Sequence, residues 1–214
     1  MLPKVWMAVI TEILAAQQWT TNAEMIDDLF SLDYMNRQAS ICDTTFGRGT
    51  FWKLFRPDNL TIHDIRIDGV DFRDLPEQDQ TFDVTVFDPP YTHGGHNTKS
   101  VSEFNDRFGQ SVAPKTWPGL WDLMSRGLRE TVRVTRDGGF VVTKSMPYVA
   151  SGRLRHTPHL FTQLIETEGL GRIRDELIFL RPPGPNATRR AAGQLHARRN
   201  YSVLQVFEIR RKKR

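Results

Sequence analysis

The 214-residue chain has a single cysteine, Cys42. That excludes an internal disulfide and a cysteine-based zinc cluster, and makes a reducing cytoplasm the expected setting. No apolar run approaches the roughly 20 residues of a membrane span, and no signal pattern precedes the first amphipathic segment. No internal repeat is visible. His93 and His96 lie close together, but without a nearby carboxylate or cysteine they read as substrate-contacting or solvated side chains, and no metal is expected. Acids are scarce at one end only. Residues 181–214 hold 10 Lys+Arg against 1 Asp+Glu, whereas residues 1–180 hold 19 against 24. A mildly acidic body with a strongly basic C-terminal segment points to a polyanionic partner, nucleic acid before membrane.

What is present is organised around Val86-Phe87-Asp88-Pro89-Pro90-Tyr91. The β-branched and aromatic run Phe82–Phe87 predicts a strand buried on both faces. Two consecutive prolines then remove two backbone donors and fix two φ angles, ending the strand abruptly. The resulting corner presents a carboxylate, a free carbonyl and an aromatic ring. That set suits a flat, amine-bearing ring, with Asp88 and the Pro89 carbonyl accepting its N–H bonds and Tyr91 stacking on its face.

Upstream, Trp6, Val9, Ile10, Ile13 and Leu14 recur at helical spacing over residues 4–18. Thr21 to Glu24 is a capping-box pattern opening a second helix through Leu32. A short strand, Ala39–Cys42, leads into Asp43-Thr44-Thr45-Phe46-Gly47-Arg48-Gly49-Thr50, where glycines two apart permit positive φ and keep Cβ atoms away from a ligand. A helix is expected from about Thr50 to before Pro57. Leu60–Asp64 reads as a strand ending in an acid suited to ribose hydroxyls, and Asp71-Phe72 offers an acid and an aromatic suited to an adenine edge and face. Downstream, Leu120–Val134 is helical, Gly138-Gly139 precede a strand at Phe140–Lys144, residues 158–168 form a helix, and Glu176–Leu180 and Tyr201–Phe207 form strands. Lys144 falls at the carboxyl end of its strand, where it is expected to meet a phosphate or order a lid.

With these elements in order, the chain resembles the class I S-adenosylmethionine-dependent methyltransferases that modify adenine N6 or cytosine N4 in DNA. Asp43-x-x-x-Gly47-x-Gly49-Thr50 is similar to that family's cofactor loop, and Asp64, Asp71 and Asp88-Pro89-Pro90-Tyr91 are similar to its later motifs. The likeness runs over residues 38–148 and resumes at His196–Ser202, which is similar to the tail of small phage-like and actinobacterial DNA methylases. One departure stands out: Thr44-Thr45 replaces Pro-Phe, and Phe46 comes one position late.

The resemblance implies an α/β fold, a doubly wound, mostly parallel seven-stranded Rossmann-like sheet with an antiparallel C-terminal strand. Residues 1–36 would form an N-terminal helical cover. Residues 37–214 would form one methyltransferase domain, with a lid-like loop at 92–118 and a basic loop at 181–200. It implies S-adenosylmethionine as cofactor, held by Asp43, Phe46, Gly47, Gly49, Thr50, Asp64, Asp71, Phe72 and Asp88. Asp88, Pro89, Pro90 and Tyr91 would be catalytic, and His93, Lys144, Arg189, Arg190, Arg198, Arg199 and Asn200 would contact nucleic acid. Adenine N6 in DNA is the expected target, with RNA, cytosine N4 or guanine N2 as alternatives, and a catalytically idle nucleic-acid-binding module as the rival of another class. No separate target-recognition segment is visible, so sequence specificity is expected to be low or supplied by a partner. The oligomeric state stays open.

Overall fold

The computed structural model describes residues 19–93, 114–181 and 199–211. The expected helix at 4–18, most of the lid-like stretch, and Arg189, Arg190, Arg198 and His196 in the basic connection lie outside the described residues.

The first described helix, α1 (Asn22–Ser31), is opened by the expected capping box: Thr21 Oγ1 accepts from the Glu24 N–H, and the Glu24 carboxylate accepts from the Thr21 N–H. This reciprocal pair satisfies two otherwise orphaned donors. Strands β1 (Ile41–Asp43), β2 (Leu60–Ile62) and β3 (Phe82–Phe87) follow. Helix α2 (Trp117–Val134) runs into β4 (Thr135–Ser145), a small hairpin joins β5 (Tyr148–Ala150) to β6 (Arg153–Arg155), and α3 (Thr157–Thr167) leads to β7 (Gly171–Leu180) and β8 (Tyr201–Ile209).

Among the described residues, six strands form the main sheet in the order β2-β1-β3-β4-β8-β7. The first four are parallel, and β8 is antiparallel to both β4 and β7, which makes β7 parallel to the rest. The antiparallel C-terminal strand is as expected, and the described residues supply six of the expected seven strands. Among the described residues the stretch between β2 and β3 forms turns instead of another strand. It carries Asp68-Gly69, Asp71, Asp74 and Pro76, residues that favour turns over a ladder. The helix expected after Thr50 is likewise a single 3-10 turn, Thr50–Trp52. Strand β4 begins earlier than Phe140, and the register shifts where Gly138-Gly139 bulge out.

Alternation assigns the two sheet faces. Val84, Val86, Val142, Leu204 and Val206 pack with Met25, Ile26 and Leu29 of α1, while Phe87, Val141, Phe207 and Ile209 pack with Leu120, Met124, Leu128 and Phe161. Burying each such side chain contributes about 1.5–3 kcal/mol. A one-residue slip would turn a whole row to the wrong face, so the register is firmly set. Parallel β1, β3 and β4 therefore end at one edge, and there the candidate residues gather.

Candidate active site

Asp43 closes β1 and anchors the glycine loop. It is 2% exposed, takes the Trp52 indole N–H at 2.7 Å and the Thr45 N–H at 3.0 Å. Burial pushes its carboxyl up to about 7 against these hydrogen bonds, and the like charges of Asp88 and Asp64 push the same way. Gly47 and Gly49 have φ of 58° and 62°, the left-handed region that disfavours side chains. The Phe46 ring lies directly over Gly49, where an added Cβ would fall 2.6 Å from it, and the Arg56 guanidinium caps the same ring at 5.3 Å. The aromatic that comes one position late thus still covers the loop.

The Thr44-Thr45 departure has a structural use. Thr44 donates to the Val86 carbonyl through both its N–H and its hydroxyl, each at 3.0 Å. A proline there would lack the first bond. Thr45 Oγ1 accepts the Asp88 N–H at 2.7 Å. These bonds lock the glycine loop to the end of β3, so the two motifs share one wall.

Asp64 takes the Gly47 N–H at 3.0 Å and the Arg66 N–H at 2.8 Å, one on each oxygen. It braces the loop and keeps lone pairs for a further donor. His63, just before it, is buried between Asp68 and Glu77, 2.7 Å from each. Burial pulls its ring down, but the two carboxylates outweigh that and raise it. Sequence reasoning missed this clamp.

Phe72 and Asp71 are both engaged within the chain. Phe72 offers no aromatic face to a ligand: it is 7% exposed, edge-on to Phe87 at 5.4 Å, and packed in the α2 core. Gly127 explains this, because a Cβ there would fall 2.4 Å from the Phe72 ring. A mid-helix glycine costs about 1 kcal/mol and makes the room. Asp71 is engaged by the adjacent Arg73, at 2.5 Å from Nη2.

On the other side of the corner, Pro89 and Pro90 are buried and Asp88 and Tyr91 are partly exposed. Lys144 is not at a phosphate-facing surface. It is 1% exposed, its Nζ lies 3.7 Å from Asp88 Oδ2, and the rings of Phe51 and Tyr91 are 5.8 and 5.9 Å away. A buried ammonium needs such a counter-charge. Arg181, leaving β7, donates to the Tyr91 hydroxyl at 3.3 Å, and its N–H bonds the Asn200 carbonyl at 2.6 Å. Both ends of the basic connection therefore stand at the Asp88 edge, with Arg199 and Asn200 half-buried there. His93 sits edge-on to Tyr148 at 6.0 Å. Its side chain thus meets the hairpin that follows β4, which sequence reasoning also missed, since three-residue strands leave little periodicity.

The sequence matches no protein-family model and no curated relative. Solved structures do resemble it. The N-methyltransferase NodS of Bradyrhizobium japonicum, crystallised with S-adenosyl-L-homocysteine, superposes at a TM-score of 0.50 with 12% identity, over 87% of this chain and 85% of that one. The chain has a methyltransferase fold. At lower TM-scores, a 1,6-didemethyltoxoflavin-N1-methyltransferase of Burkholderia thailandensis reaches 0.47, with 12% identity over 89% of this chain and 79% of that one. A provisionally assigned DNA modification methylase of Thermus thermophilus reaches 0.41, with 16% identity over 68% of this chain and 54% of that one. The chain spans about half the length of that methylase. On this fold, ligands bind outside the carboxyl ends of the strands, the edge that carries Asp43, Asp64, Asp88 and Lys144. Three carboxylates around a glycine loop suit a cationic ligand, since each raises the cost of the others' charge.

Proposed function

We propose that the chain transfers a methyl group from S-adenosylmethionine to an exocyclic amine of a base in nucleic acid, adenine N6 in DNA before the alternatives. The observation that carries this reading is the Thr45–Asp88 hydrogen bond, which welds the glycine loop to the Asp-Pro-Pro-Tyr corner. A donor in the loop and an acceptor at the corner would be neighbours. The S-adenosyl-L-homocysteine bound by NodS, on the same fold, supports the choice of cofactor.

Asp43, Gly47, Gly49, Thr50 and Asp64 would hold the cofactor, with Phe46 covering the loop; Asp71 would join them if Arg73 yields. When bound, S-adenosylmethionine supplies an activated methyl on a sulfonium centre. The rest falls to the chain. A base amine is a poor nucleophile because its lone pair is delocalised into the ring. Asp88 and the Pro89 carbonyl would accept its two N–H bonds, favour the pyramidal amine and aim its lone pair, and the proton the nitrogen sheds on gaining the methyl would leave by way of the Asp88 carboxylate. Lys144 keeps the Asp88 carboxylate oriented. Tyr91 stacks on the ring. Catalysis is then positioning and electrostatics, with no covalent intermediate. A duplex base must first leave its stack, at a cost of a few kcal/mol, of which stacking on Tyr91 returns about 1–3 kcal/mol.

The test is incubation of purified protein with methyl-labelled S-adenosylmethionine and DNA or RNA, followed by mass spectrometry of the nucleosides. Label in N6-methyladenine from DNA is the expected result. Label in another base or in RNA would move the substrate. Cofactor binding with no labelled nucleoside would refute the nucleic-acid reading.

A further inference from the structure

The hairpin of β5 and β6 rises from the edge that carries the candidate site, two residues beyond the end of β4. Its register pairs Tyr148 with Arg155, Val149 with Leu154 and Ala150 with Arg153. Ser151 and Gly152 make the turn with φ of 50° and 72°, both positive, as tight hairpin turns require. A lone two-stranded hairpin is marginal in water. This one rests on rings: Tyr148 lies 5.7 Å from Trp117, Trp117 stacks on Trp121 at 6.2 Å, and the Arg155 guanidinium lies over Trp117 at 5.2 Å.

What the hairpin presents outward is positive and uncompensated. From Met146 to Ile165 the chain has Arg153, Arg155, His156 and His159 and no Asp or Glu. Many arginines elsewhere find carboxylates: Arg73 has Asp71, Arg129 has Glu168, Arg133 has Glu130 and Asp79, and Arg172, Arg174 and Arg210 share Glu208. Among the described residues neither Arg153 nor Arg155 has an ion-pair partner, and the buried Nε of Arg155 has no acceptor. Arg153 and Leu154 are exposed, the latter at 46%. Trp117 already carries Arg155 on its ring, so the surface suits phosphate better than a stacked base.

We propose that this hairpin grips the phosphate backbone of the nucleic acid whose base enters at Asp88 and Tyr91, with Arg153 and Arg155 making the contacts. The inference rests on the reading under Proposed function. Tyr148 touches His93, two residues past Tyr91, so a strand held by the arm lies beside the corner. Phosphate contacts fix position without reading sequence.

The experiment is anisotropy titration of labelled duplex and single-stranded oligonucleotides of unrelated sequence across a salt series. It compares the wild type, Arg153→Glu, and Arg153→Ala/Arg155→Ala. Arg153 is exposed and off the ring stack, so its replacement leaves the fold intact. Each phosphate contact contributes a log–log slope of about −0.9 on duplex and about −0.7 on a single strand. Arg153→Glu is expected to weaken binding equally on all sequences and to lower the slope by at least one such contact, and the double variant by two. Cofactor affinity stays unchanged. Wild-type affinity and slope in both variants would overturn the arm alone. A wild type that binds neither oligonucleotide at any salt would overturn the arm together with the nucleic-acid reading.

Discussion

The two halves of the cleft are built from opposite charges. The glycine-loop half, residues 39–88, holds ten carboxylates against five Lys+Arg, and Asp43, Asp64 and Asp88 converge on the loop itself. The far half offers Lys144, Arg155 and Arg181 among the rings of Tyr91, Trp117 and Tyr148. On the proposed function, a sulfonium cation and a polyanion would be drawn to different walls of one site. The difference teaches that Asp88 belongs to both: its backbone is tied to the loop through Thr45, and its side chain faces Lys144.

Substitution at that shared residue should split the halves most sharply. Asp88→Asn keeps the backbone bond to Thr45 and removes the charge. Methyl transfer should fall by about 10²-fold or more, while calorimetric cofactor affinity changes little. Substantial turnover in this variant would end the catalytic assignment. On the loop side alone, Gly49→Val forces a Cβ into the Phe46 ring at a φ of 62°. Cofactor affinity should drop by about tenfold or more, since the strain of 1–3 kcal/mol must distort the loop. Unchanged affinity would show that the loop takes no part. On the far side alone, Lys144→Met replaces a buried ammonium by an apolar chain of similar length. It frees Asp88 to turn, so kcat should fall about tenfold, equivalent to about 1.4 kcal/mol, with cofactor affinity equal or better because a positive charge has left. Weaker cofactor binding at unchanged kcat would place Lys144 on the wrong wall.

The halves also differ in how legible they were. The capping box, the glycine loop and the Asp-Pro-Pro-Tyr corner were readable because each signal lies within a few residues, whereas the antiparallel last strand came from the family resemblance. Contacts that span the chain were not readable, and these tie the two halves together. Thr45 and Asp88 are 43 residues apart, and Lys144, read as meeting a phosphate or ordering a lid, is turned inward by β4, whose last residues are all buried. Phe72 reads as a ligand face until Gly127 of α2 opens a slot for it. An aromatic beside an acid carries no mark of which way it points; that is decided by the helix laid over it. Between β2 and β3 turn chemistry prevails, since residues 68–76 are dominated by Asp, Gly and Pro.

The smallest effect concerns pH and isolates Asp43 from the rest. Its carboxyl is pushed up to about 7 from 3.8, chiefly by burial. Between those values the folded chain holds a proton that the unfolded chain has lost, so this group's contribution to stability is greatest at the acid end and declines as pH rises through 7. A cation docked on the loop favours the ionised form and reverses the balance. Cofactor affinity should therefore climb from about pH 6, by at most tenfold per pH unit below the carboxyl's pKa, and level off above about 7. Titrations near pH 6 in two buffers of different ionisation heat should show proton release on binding. Asp43→Asn should flatten the pH profile and raise melting temperature most at alkaline pH, because the amide carries no charge to bury. Equal heats in both buffers, with a pH-independent affinity in the wild type, would separate Asp43 from the cofactor and leave it a purely structural anchor for Thr45 and Trp52.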